Sequence, residues 1–128
     1  MARPVVLGNG SLTVGLNEFG FVHDFYYPYV GLENLTNARS QPHHIGVWVD
    51  GQFSWLSDNE WERSISMQSD VLFSDITVKN TRLGISIKIQ DFVDCHYNVF
   101  ARRLDVNNLT EQSREVRVFF HQIFKNIM

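Results

Sequence analysis

The stretch that decides the fold runs from residue 45 to residue 56 and reads IGVWV, then DG, then QFSWL. In both five-residue runs the apolar side chains recur every second position, and this period of two is typical of a β-strand. Asp-Gly between two such runs favours a type I′ turn, in which both central residues take positive φ angles. The sequence therefore predicts a β-hairpin with its turn at residues 50–51.

The same period of two recurs along the rest of the chain. Further strand patterns occupy residues 12–16, 21–26, 61–67, 71–78, 85–89, 99–106 and 116–120. Turn residues at 17–20 predict a hairpin between the first two, and the polar loop at 107–113 predicts another antiparallel pair. Helical periodicity is weak, and its nearest candidate is 119–128. Eight or nine short strands predict an all-β fold, an antiparallel β-sandwich with few or no helices, forming one domain over residues 1–128.

Composition and charge exclude several classes of function. The 128 residues carry 11 Lys and Arg against 14 Asp and Glu, and the formal net charge is -3. The longest basic cluster is Arg102-Arg103, so nucleic acid is not an expected partner. No apolar run approaches the roughly 20 residues of a membrane helix, and residues 1–10 lack the apolar region of a secretory signal. We therefore expect a cytoplasmic protein without a membrane partner.

The potentially reactive side chains match no catalytic or metal-binding pattern. His43 and His44 point to opposite faces of an extended chain, and no third ligand lies near them in the sequence. No glycine motif of the kind that forms an oxyanion hole accompanies Cys95, so we do not expect a catalytic nucleophile there. We expect Cys95 to be a buried free thiol. Glu60 and Glu62 flank a tryptophan but lack the apolar surroundings that a general acid requires. We expect no catalytic residue, no metal site and no cofactor within this chain.

Three tryptophans form a candidate carbohydrate platform. Trp48, Trp55 and Trp61 lie within a short stretch of sequence, and indole rings are good contact surfaces for sugars. However, Trp48 and Trp55 belong to the two strands of one predicted hairpin, where aromatic residues stabilise the sheet. Packing in the core or at an interface is therefore the favoured interpretation of these rings.

Several separated motifs resemble a known enzyme family. The segments RPVVLGNGSL (3–12), VGL (14–16) and DFYYPYVGLEN (24–34) resemble the start of prokaryotic glucoamylase-type enzymes of glycoside hydrolase family 15. The segments HIGVWVDG (44–51), FSWL (53–56), FARRL (100–104) and VRVFFH (116–121) look like successive strands of the same N-terminal domain. The likeness covers nearly the whole chain, and the motifs occur in the order of the family.

The resemblance implies a protein of two parts. In the family, a β-supersandwich of the galactose-mutarotase-like kind precedes an (α/α)6 barrel that holds both catalytic carboxylates. Residues 1–128 contain no counterpart of that barrel, so no catalytic residue of the family is assigned here. The resemblance and the apolar residues 119–128 imply that the chain corresponds to about the first half of the supersandwich, with open sheet edges.

The resemblance also implies a role within a larger enzyme. The chain alone is expected to be inactive and structural, and its partner would be the catalytic barrel of the same polypeptide. Through that barrel the enzyme would act on α-1,4-glucans or maltooligosaccharides. Two alternatives remain open, namely a stand-alone carbohydrate-binding sandwich and an assembly domain that forms homo-oligomers through open sheet edges.

A tyrosine-rich loop is the candidate site that follows from this role. It carries Tyr26, Tyr27 and Tyr29, and Pro28 restricts its backbone. With Glu33 and Asn34, the loop would lie at the interdomain face and shape the substrate entrance of the complete enzyme. The structural alternative is that alternate tyrosines fill the core of the sandwich while the others pack against the barrel.

Overall fold

The computed structural model describes residues 5–28, 35, 43–68 and 73–122, and ten β-strands lie in these ranges. They are β1 (Val5–Gly8), β2 (Thr13–Leu16), β3 (Val22–Tyr26), β4 (His44–Val49), β5 (Gln52–Trp55), β6 (Glu62–Gln68), β7 (Phe73–Asn80), β8 (Ile85–Val93), β9 (Phe100–Asn108) and β10 (Val116–His121). The described ranges contain no helix, and so none that could cross a membrane. The prediction of an all-β fold is confirmed.

The strands form three antiparallel sheets that share one apolar core. Their orders are β1-β2-β3, β10-β4-β5 and β6-β7-β8-β9, and β1 lies against β7 and β8. Fully buried side chains come from all three sheets and from the adjoining turns: Val5, Leu7, Val14, Leu16, Phe21, Ile45, Leu56, Ile76, Leu83, Ile85, Ile87 and Ile89. Each buried Ile or Leu contributes roughly 1.5–3 kcal/mol to folding, so this core is the main source of stability. The arrangement is consistent with a β-sandwich.

Both predicted hairpins in the first half of the chain are confirmed. In the turn between β4 and β5, Asp50 has a φ of 53° and Gly51 a φ of 74°, as a type I′ turn requires. β2 and β3 also pair, and the side-chain oxygen of Asn17 accepts hydrogen bonds from the backbone N–H groups of Phe19 and Phe21. The turns predicted at residues 17–20 and 50–51 are therefore present.

The predicted pairing of the last two strands is wrong. β9 pairs with β8, whereas β10 pairs with β4 and joins a different sheet. Residues 109–115 connect them, and this segment is anchored by Arg114, which donates to the carbonyl oxygens of Leu83 (2.6 Å) and Gly84 (2.7 Å). A polar connection of this length does not fix the register of the flanking strands as a tight turn does, so core packing selects their partners.

A buried ion pair connects three strands to the turn between β2 and β3. Arg102 on β9 donates from Nε to Oδ1 of Asp91 at 2.7 Å and from Nη2 to the carbonyl oxygen of Gly20 at 2.6 Å. Asp91 on β8 has no exposed surface, and its Oδ2 accepts the hydroxyl of Ser74 on β7 at 2.8 Å. The pair is thus surrounded by hydrogen bonds, as a buried charge requires.

Candidate functional site

The outward face of the sheet β10-β4-β5 is rich in aromatic side chains. Alternation on β4 sends Ile45, Val47 and Val49 into the core, so the residues between them point outward. The register of the three strands then places a set of ring and cationic residues on one surface, here called the aromatic face: His44, Trp48, Phe53, Trp55, Arg117, Phe119 and His121. Rings and arginine are the residues enriched at protein interfaces, which makes this face a candidate contact surface.

The rings of the aromatic face pack mainly edge to face. Phe53 lies 4.8 Å from Trp55 with planes at 87°, and 5.8 Å from Phe119 with planes at 62°. The guanidinium of Arg117 lies 4.8 Å from the ring centre of Trp48 and covers one side of that indole. Gly46 lacks a side chain on this face, and the rings of Phe53 and Trp55 fill the space that it leaves. The face is therefore a packed ridge of ring edges, not a flat aromatic platform.

Histidine closes one end of the aromatic face. The ring of His44 lies 4.9 Å from Phe21, 5.6 Å from Trp55 and 6.2 Å from His121. Burial, and next the nearby His121, lower the pKa of His44 below its ordinary value, which favours the neutral imidazole. Its Nε2 is buried without a hydrogen-bond partner among the described residues.

The three tryptophans do not share one surface. Trp48 and Trp55 are half-buried on the aromatic face, where Trp48 is opposite Phe53 in the register. Trp61 is buried in the core, and its Nε1 donates to the hydroxyl of Ser54 at 2.8 Å. That hydroxyl in turn donates to Oδ2 of Asp58 at 2.8 Å. Trp61 therefore stabilises the turn after β5, and only the other two indoles reach solvent.

The tyrosine-rich loop is only partly described. Tyr26 is half-buried at the end of β3, and Tyr27 is 47% exposed. The peptide bond between Tyr27 and Pro28 is cis. The other candidate residues of this loop, Tyr29, Glu33 and Asn34, lie outside the described residues. Tyr27 is thus the described member of the loop that is most available for contact.

In the acidic segment 58–62, the carboxylates of Asp58 and Glu60 form hydrogen bonds that stabilise the local structure. Oδ2 of Asp58 accepts the backbone N–H of Trp55 as well as the hydroxyl of Ser54. Both oxygens of Glu60 accept from the guanidinium of Arg82, at 2.7 and 2.8 Å. This bidentate hydrogen bond from Arg82 is the main cause that lowers the pKa of Glu60 to about 2. A carboxyl ionised throughout the physiological range cannot donate a proton as a general acid.

Replacing Arg82 with methionine should raise the pKa of Glu60 from about 2 toward 4.5. The folded-state pKa is depressed, so the stability due to this pair is present above about pH 4.5 and is lost as the pH falls toward 2. Because solvent reaches the pair and screens it, the loss of stability should be small. A carboxyl NMR titration of the wild type and the Arg82→Met variant checks this, and an unchanged pKa in the variant would contradict it.

The remaining reactive candidates are separated in space or solvent-exposed. Cys95 is exposed, so the prediction of a buried thiol is wrong. The cause is local: Oδ1 of Asp94 accepts the N–H groups of His96 and Tyr97, which forms a tight turn that holds Cys95 on the surface. His43 is buried and its neighbour His44 joins the aromatic face. Within the described ranges, no three His, Cys, Asp or Glu side chains are grouped for metal binding.

A hollow on the opposite sheet was not predicted from the sequence. It lies on the outward face of β6-β7-β8-β9, has a volume of about 210 Å³ and is lined by Phe73, Gln90, Phe92 and Arg103. On β8 the buried isoleucines set a strict alternation, and Phe92 occupies an outward position of that pattern. The outward positions of a strand with one buried face are usually polar. An outward phenylalanine is therefore the sequence signal that could have indicated this site.

Comparison with known proteins finds a distant relative of this chain. A protein of Methanocaldococcus jannaschii named "Uncharacterized glycosyl hydrolase MJ1610" is 23% identical to this chain over 117 residues. The chain is distantly related to a glycosyl hydrolase. The alignment covers 91% of this chain but only 18% of that relative's length. No family model and no solved structure matches the chain.

Proposed function

We propose that this chain is the non-catalytic N-terminal β domain, or the first half of it, in a longer glucoamylase-like glycoside hydrolase. The enzyme would act on α-1,4-glucans or maltooligosaccharides through a catalytic domain of the same polypeptide. The observation that carries the proposal is the alignment of 91% of this chain with 18% of a protein named as a glycosyl hydrolase. The motifs at residues 3–34 and 44–56 supply the finer likeness to family 15.

The engaged carboxylates support a structural role for the chain. Asp91 is held in its ion pair with Arg102, and Glu60 is held ionised by Arg82. An inverting glycosidase needs a protonated acid and an ionised base about 6.5–9.5 Å apart on either side of a sugar. We infer that such a pair belongs to the remainder of the enzyme.

The uneven burial of the core supports a larger β domain. Val106 on β9 is opposite Ile87, and Phe120 on β10 is opposite Ile45, so both point toward the core side of their sheets. The two isoleucines are almost fully buried, whereas Val106 is 39% and Phe120 50% exposed. Further strands of the longer polypeptide, placed along β9 and β10, would cover this apolar surface.

Two surfaces are suited to contact the catalytic domain. The aromatic face offers rings and a guanidinium, and the exposed Tyr27 belongs to segment 24–34, which resembles the start of family 15 enzymes. A tethered domain is present at a high effective concentration, so a modest patch is enough to position it. In the complete enzyme, we assign to the aromatic face a packing role and to Tyr27 a place at the substrate entrance.

Two assays test this function. The purified chain should release no glucose from maltotriose, and glucose release by the chain alone would contradict a non-catalytic role. In the longer protein, Tyr27→Ala should raise KM for maltooligosaccharides or lower kcat. Leu109→Ala, which removes an apolar side chain of similar exposure from the segment between β9 and β10, is the matched control for a general loss of folding. Normal kcat and KM in Tyr27→Ala would exclude the entrance role.

Assembly through an open edge is a second candidate function. The outer edge of β10 has no strand partner among the described residues, and Phe119 and Phe120 expose apolar surface on its two faces. Unpaired edges of this kind recruit strands from other chains. We expect the isolated chain to form a homodimer or larger oligomer in light scattering, with Phe120→Lys shifting it to monomer. A monomeric mass for the wild type at about 50 µM would exclude assembly.

A further inference from the structure

The register of the four-stranded sheet builds the hollow from two ring residues and two polar residues. Phe73 on β7 is opposite Phe92 on β8, so both side chains lie on the same face of the sheet. Gln90 on β8 is opposite Arg103 on β9, and Gln90 lies two positions before Phe92 on that same face. The hollow therefore has an apolar part, formed by the two phenylalanines, beside two side chains that can form hydrogen bonds with a ligand. It is shallow and has a volume of about 210 Å³.

The rings of the hollow are free to take a ligand, unlike those of the aromatic face. Neither Phe73 nor Phe92 contacts another aromatic ring or a cation within the described parts of the chain, and Phe92 is 46% exposed. On the aromatic face, in contrast, the ring of Phe53 packs against the rings of Trp55 and Phe119. The hollow is therefore the place where an incoming molecule would find open ring surface.

The polar residues of the hollow also have unused hydrogen-bonding capacity. The side-chain amide of Gln90 makes no hydrogen bond to any residue that the structure describes. Arg103 is largely exposed and uses its Nε for a 3.3 Å contact with Asp105, while its two terminal nitrogens donate to none of the described residues. An amide that both donates and accepts, beside a guanidinium that only donates, suits a ligand with several hydroxyl groups.

We propose that this hollow binds one hexopyranose unit of an α-glucan, with the C–H face of the sugar on Phe92 and its hydroxyls at Gln90 and Arg103. The volume lies below the roughly 300–1,000 Å³ of pockets that enclose a small molecule, which suits a single ring resting on the surface. The choice of an α-glucan rests on the proposed function, and the site itself would hold polymeric substrate near the enzyme without taking part in the reaction. An apolar side chain of a neighbouring domain is the competing occupant.

The test is a titration of the chain with maltoheptaose, followed by two-dimensional amide NMR. We expect a dissociation constant on the order of millimolar, with shift changes centred on Phe73, Gln90, Phe92 and Arg103. Phe92→Ala should weaken binding about fivefold or more, because it removes the ring on which the sugar stacks. Gln90→Ala should also weaken binding, and it leaves the apolar part of the hollow in place.

Phe119→Ala is the matched control, because Phe119 is 45% exposed and lies on the other sheet. It should leave maltoheptaose affinity unchanged. Three results would overturn the inference: no shift changes with maltoheptaose, shift changes centred on the aromatic face, or unchanged affinity in both Phe92→Ala and Gln90→Ala. Each of these concerns the hollow alone, whereas the proposed function fails on hydrolysis assays of the chain and the longer protein.

Discussion

Replacing Arg102 with alanine should destabilise the protein by about 3–5 kcal/mol. The substitution leaves the carboxylate of Asp91 fully buried with Ser74 as its remaining side-chain partner, and it removes the bond from Nη2 to the carbonyl oxygen of Gly20. An isolated buried charge is costly, whereas the intact pair is surrounded by hydrogen bonds. Since small domains are stable by about 5–15 kcal/mol, the loss should be visible as a large shift of the urea midpoint.

The neighbouring residue provides the control for this prediction. Arg103 has the same side chain and the same strand, but that side chain is 73% exposed and its bond to Asp105 is long, at 3.3 Å. Arg103→Ala should therefore change the free energy of unfolding by less than about 0.5 kcal/mol. Equal effects of the two substitutions would show that the Asp91 pair has no special role.

Replacing Gly46 with valine should lower stability by about 1–3 kcal/mol and rearrange the aromatic face. A Cβ at this position would overlap the tip of the Phe53 ring and would lie 2.9 Å from a ring carbon of Trp55. The rings would have to leave their edge-to-face arrangement. The near-ultraviolet circular dichroism spectrum should change together with the urea midpoint.

A second substitution separates ring overlap from other effects at this position. In the Phe53→Ala background the nearest ring is absent, so Gly46→Val should cost markedly less than it does in the wild type. Equal costs in the two backgrounds would mean that the backbone of β4, and not the aromatic face, requires glycine.

Local patterns in the sequence predicted most of the strands because their signals are short-range. The Asp50-Gly51 turn and the alternation around it are set by neighbouring residues, and the same holds for the loop that Asn17 stabilises. β1 has only four residues, too few to establish a period by itself, so it was not predicted. The partner of β10 was also missed, because core packing against β4 decides it.

The candidate sites were predicted less well, because they depend on contacts between distant parts of the chain. The sequence singled out Trp48, Trp55 and Trp61 as a group, yet Trp61 turns inward to a hydroxyl seven positions before it. The hollow combines side chains from three strands, and only the register of those strands brings Phe73 beside Phe92. Alternation predicts which side a residue faces, whereas the neighbours across the sheet follow from the fold.

The measurement that tests the central claim most directly is to read the coding sequence beyond the codon for Met128 in the genome of origin. The account predicts that the open reading frame continues for several hundred codons, first through further strand patterns and then through helical segments. Two well-separated loops bearing glutamate should occur in that helical part. A stop codon directly after Met128 would contradict the claim that this chain is the N-terminal β domain of a longer glycoside hydrolase.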